Sequence, residues 1–121
     1  MRGDLGPTKI SAPAGIHAWR RRTDLLREAL LDLADGRAAI LGHSETAWAS
    51  VTFAGARHRI ELLFEGDEAI EAGERFIAFL PEHEFDILGQ LVADATVTEV
   101  DHRLDPPRMT VRCELLLLEE G

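Results

Sequence analysis

The residues of this chain able to do chemistry are five histidines, one cysteine, and arginines that alternate with or adjoin aromatic residues. His58 is the most unusual histidine. It alternates with Arg57 and Arg59 in a strand-like pattern that places it with Ile60, Leu62 and Phe64 on the core-facing side. A histidine there is either hydrogen-bonded and structural or an acid–base group of shifted proton affinity. His43 and Glu45, two apart on one strand face, are suited to the same acid–base work. Spacing reveals no nucleophile with an orienting partner, so no catalytic residue is assigned.

Two stretches bring histidine beside carboxylates. Glu82, His83, Glu84 and Asp86 form one, and Asp101, His102 and Asp105 the other. Neither has metal-ligand spacing: no His-x-x-x-His pair and no Cys-x-x-Cys occur. Acidic loops of this kind are ordinarily solvated, and no metal or cofactor is expected. Glycine-rich phosphate loops are absent as well. Cys113 stands mid-strand among apolar neighbours, where a thiol is inert and reads as core.

Trp48 with Arg57 and Arg59 is the constellation best suited to binding. On adjacent strands these residues lie within cross-strand or diagonal reach, and an arginine over an indole is a favourable contact. Tryptophan and arginine are also the usual anchors of protein interfaces. A second aromatic–arginine cluster, His17 to Asp24, reads as a solvated helix entry. The formal net charge of −9 opposes nucleic acid and anionic membrane surfaces. With no apolar run longer than Phe76 to Leu80, nothing spans a bilayer as a helix.

These residues need elements to hold them. Residues 1–18, with Gly3, Gly6, Pro7, Pro13 and Gly15, read as a flexible arm, and 19–121 as one domain. The arm lacks the build of a signal peptide, and its Arg2-Gly3-Asp4 is a chance tripeptide on this reading. A first helix is predicted from about Asp24 to Asp35, with Thr23 as N-cap, Gly36 just past its end and Leu26, Leu30 and Leu33 on one face. Two strands follow, turning at Ala54-Gly55, so that Ala47, Ala49, Val51 and Phe53 share a face with His58, Ile60, Leu62 and Phe64. A second helix is predicted from Glu68 to Leu80, with Asp67 as N-cap, Gly73 allowing close packing and Pro81 as the stop. Strands from Leu91 to Asp101 and from Met109 to Glu119 complete the chain, joined by a longer connection stiffened by Pro106 and Pro107.

The expected fold is therefore α+β, in the order αββαββ: a four-stranded antiparallel sheet with two helices on one face. An internal αββ pseudo-repeat is one reading of it, with halves 19–66 and 67–121. Ile40-Leu41-Gly42 recurs as Ile87-Leu88-Gly89, and Arg59, Glu61, Leu62 and Leu63 match Arg112, Glu114, Leu115 and Leu116. On the uncovered face the pattern places Trp48, Leu63, Leu116 and Leu118. Such a patch fits self-association. The expectation is a small cytoplasmic, non-catalytic interaction module that forms a homodimer through Trp48, Arg57, Arg59, Leu63 and Leu116. The alternative is a small-molecule-binding protein or enzyme with a pocket at His58 or His43.

Overall fold

The computed structural model describes residues 14–120, with side chains described from Thr23 onward. The element order is α1 (Ala14–Leu33), β1 (Ala38–Ala49), β2 (Ala54–Glu65), α2 (Asp67–Phe79), a 3₁₀ turn (Leu80–Glu82), β3 (Gln90–Leu104) and β4 (Pro107–Glu119). The strands form one antiparallel sheet in the order β1-β2-β4-β3. Both helices pack on one face of it, so the expected α+β architecture is the observed one.

Helix α1 begins at Ala14, ahead of the predicted Asp24, so Thr23 lies inside it and is not its N-cap. Residues 14–18 accordingly belong to the helix, not to an arm. The Arg-Gly-Asp tripeptide lies outside the described residues, as do the side chains of the His17–Arg22 cluster. At the other end, Gly36 takes a positive φ of 68° and its N–H reaches back to the Leu31 carbonyl at 2.8 Å, closing the helix as expected. Helix α2 is preceded by Gly66, which supplies no side-chain cap. Asp67 is the first helical residue instead and, with Glu68, complements the positive end of the helix.

The core lies between helices and sheet. Leu26, Leu30, Ile70 and Phe76 meet Ile60, Leu62 and Phe64 of β2 and Met109, Val111, Cys113, Leu115 and Leu117 of β4. These strand residues alternate because only every second side chain can face the helices. Gly73 of α2 sits directly on Phe64 and the Met109 methyl, where a larger side chain would collide. That is the close packing its place in the buried stripe predicted.

The first hairpin turns earlier than predicted. Ala49 pairs with Ala54, so Ser50 to Phe53 make the turn. The Ser50 N–H donates to the Phe53 carbonyl at 2.7 Å, and the Phe53 N–H donates to Ser50 Oγ at 3.1 Å. Val51 is fully exposed at the tip and Phe53 half-exposed, so neither joins the buried face. Gly55 is needed within β2 instead. A Cβ there would run into the Leu117 carbonyl of β4. The displaced turn moves partners along the ribbon by an even number of residues, so each surviving strand residue keeps its expected face.

The second hairpin is tighter than predicted. Leu104 pairs with Pro107 and only Asp105-Pro106 intervene, joined by a cis peptide. The two Ile-Leu-Gly tripeptides do not occupy equivalent places. Ile40-Leu41-Gly42 lies within β1, where Leu41 is bulged, while Ile87-Leu88-Gly89 forms the turn leading into β3. In the central pair, Arg59 faces Glu114 and Glu61 faces Arg112 on either side of the Ile60–Cys113 pair.

Candidate functional site

Two groups of residues rise from this framework. The first lies beneath α1. His43 of β1 and His58 of β2 are on the helix-facing side; His43 pairs with Ile60 and Glu45 pairs with His58. Arg27, on the helix turn above, reaches down to them. Its Nε–H donates to His43 Nδ1 at 3.0 Å. His43 Nε2 lies 2.9 Å from His58 Nδ1.

The direction of this chain follows from arginine, which never gives up its protons in a protein. With His43 Nδ1 accepting from Arg27, the neutral ring carries its hydrogen on Nε2 and donates it to His58 Nδ1. The hydrogen of His58 is then on Nε2. Both imidazole lone pairs are thus consumed. Burial, the neighbouring His58 and the Arg27 charge hold the proton affinity of His43 down to a pKa of about 4, against a smaller opposing pull from Glu45. Burial lowers that of His58 as well, and again Glu45 opposes it.

Beside the pair lies a cleft of about 350 Å³ bordered by Thr23, Glu45, Ala56, His58, Gln90 and Glu119. A smaller hollow of about 210 Å³ adjoins Arg27 and His43. The structure therefore brings together all three predicted acid–base residues, His43, Glu45 and His58. It adds Arg27, which sequence reasoning missed. Its only sequence signal was its place one helical turn before Leu30, on the border of the apolar stripe.

The second group is the sheet face turned away from the helices. By register it carries Trp48 of β1, Gly55, Arg57, Arg59, Glu61 and Leu63 of β2, and Arg112, Glu114, Leu116 and Leu118 of β4. Trp48, Arg57, Arg59, Leu63 and Leu116 are thus on one face, as expected. The predicted arginine–indole contact is replaced by ion pairs. Arg59 Nε lies 3.0 Å from Glu114 Oε2 and an Arg57 nitrogen 3.6 Å from Oε1. Trp48 stands one row away, in line with Gly55, Leu118 and Leu91 across all four strands. Glu114 was the missed partner. The matching Arg-x-Glu spacings at 59–61 and 112–114 were its signal.

This face is nearly charge-balanced. Arg57, Arg59, Arg103, Arg108 and Arg112 stand among Glu61, Glu65, Asp94, Glu99, Asp101 and Glu114. Arg112 bridges Glu99 at 3.1 Å and Glu61 at 3.5 Å. Five arginines against six carboxylates leave about −1 of the chain's −9 here. Cys113, behind the face, is buried, and burial pushes its thiol up to about 12. Among the described residues no group of three histidine, cysteine or acidic side chains could hold a metal ion.

No family model matches the chain, and no curated protein matches it in sequence. Among solved structures, it resembles a chain from the virion of a native gene transfer agent particle. The TM-score is 0.53 at 14% identity, over 80% of this chain and 91% of that one. At that identity the likeness is one of fold, and what this chain shares with the virion chain is the helix-and-sheet architecture described above.

Proposed function

We propose that the protein is a non-catalytic binding module that associates with a second copy of itself through the open sheet face. The observation that carries this reading is the near-neutrality of that face on a strongly acidic chain. Two copies repel least when these faces meet, and Trp48, Leu63, Leu91 and Leu116 then leave water together. The alternative route, pairing of sheet edges, is opposed by bulges in both edge strands, at Leu41 in β1 and at Ala93 and Thr98 in β3. The chain of similar fold comes from the virion of a gene transfer agent particle, which accords with a role in assembly. A single buried cysteine accords with a reducing compartment such as the cytoplasm.

Light scattering across a concentration series tests the reading. A mass of two chains is expected, falling to one chain in Leu116→Glu. A mass near 13.4 kDa at the highest concentration would remove it.

The cleft beside His58 favours a second reading, a small-molecule site. The hydrogen-bond chain restricts the form this takes. A general base needs a free lone pair, and both imidazoles have committed theirs. What His58 has left is an Nε2–H, so the pair would donate to a ligand rather than take a proton from it.

A further inference from the structure

On the side away from the open face, both helices end at one cleft. It holds about 420 Å³ and is walled by the last turn of α1, the last turn of α2 and the loop after the 3₁₀ turn. We infer that this cleft docks a cationic, apolar-flanked segment of a partner protein: an arginine or lysine beside an aliphatic or aromatic residue.

Three features point to that chemistry. The first is an apolar floor. Leu33 and Phe85 are half-buried there, and Phe79 remains 57% exposed although it sits on a well-packed helix. The second is the charge of the rim. Asp32 and Asp86 line the cleft, and neither takes part in an ion pair among the described residues. The cleft's one arginine, Arg75, is held by Asp35 at 2.9 Å, so that pair cancels and the rim stays anionic. The third is the backbone. Both helices present their negative ends to the cleft, and neither has a basic residue in its last turn. A cation from outside would supply the complement that helix C-termini ordinarily find in their own sequence.

A second copy of this chain is not the occupant this argues for, because its net charge of −9 would work against entry. The segment fits the familiar pattern of an apolar anchor in a pocket with charge pairing at the rim. This inference does not depend on the open-face association, since the two surfaces share no residue.

The test is an NMR titration of the full-length protein with the peptide acetyl-Leu-Arg-Phe-Lys-amide, and with the control acetyl-Leu-Glu-Phe-Glu-amide. The expected result is saturable shift changes at Leu33, Phe79, Phe85 and Asp86 with the basic peptide, and affinity at least about tenfold weaker for the acidic one. Asp32→Asn combined with Asp86→Asn should weaken the basic peptide by at least about tenfold while leaving the rest of the spectrum in place. Added salt should weaken it too. Absence of shifts at millimolar basic peptide, equal response to both peptides, or unchanged affinity in the double variant would overturn the inference.

Discussion

At the scale of single residues, the Arg27–His43–His58 chain has a definite pH signature. Both histidines are held neutral in the fold, His43 down to about 4 from an ordinary 6.5. Between those values the unfolded chain binds more protons than the folded one. Their contribution to stability is therefore complete above about pH 6.5 and is lost as pH falls toward 4. Thermal unfolding followed from pH 7 to pH 4 should show a falling Tm, and His43→Gln should flatten that slope. Equal slopes would mean that the pair does not govern acid sensitivity. Nitrogen-detected histidine spectra at pH 7 should show both rings with hydrogen on Nε2, and Arg27→Leu should release that preference. Cys113 makes a simpler case: buried, with its thiol raised and its sulfur 3.6 Å from the Ile60 carbonyl, it should ignore a disulfide reagent until the protein unfolds.

At the scale of elements, the first hairpin shows what alternation can and cannot tell. Ala47, Ala49, Val51 and Phe53 keep an apolar period of two across the end of the strand at Ala49, so the pattern gives no sign of where the strand stops. Gly55 looked like the turn because glycine is common in turns. Its real task is to let β2 approach the Leu117 carbonyl, a contact between residues 62 apart that no local signal records. Gly55→Ala should therefore cost about 1–3 kcal/mol, the usual range for forcing volume into a packed site, measured by urea unfolding. A substitution neutral in that assay would place the steric limit elsewhere. The start of α1 was illegible for a related reason. Thr23 is a good cap by type, but a helix continues through such a residue when its flanks favour it.

At the scale of the whole molecule, the open face and the helix side divide the labour of charge. Most of the −9 lies off the open face, so assembly through that face should be less salt-sensitive than entry of a cation at the cleft beside Phe79. Leu116→Glu replaces an apolar side chain of the open face by a carboxylate, which costs desolvation where two faces meet, and should give a single-chain mass by light scattering. Leu88→Glu, at an exposed site in the turn before β3, should leave the mass unchanged. If both variants behave alike, the open face is not the contact. The gene transfer agent chain keeps this architecture at 14% identity, as expected when the fold rests on alternation and helix stripes rather than on particular side chains.

While the faces of β3 depend on its two bulges, the sequence taken by itself determined the kinds of element, their order, and which side of β1, β2 and β4 turns inward. Those follow from periodicities of 2 and 3.6 that every covalent neighbour reports. It also placed His58 inside and Trp48 outside on that ground alone. The tertiary structure decided the rest: that Arg27 sets the direction of the histidine chain, that Glu114 takes both arginines from Trp48, and that two helix ends share one anionic cleft. Each of these joins residues far apart in the chain, and only the packing of one element on another brings their charges and lone pairs within reach.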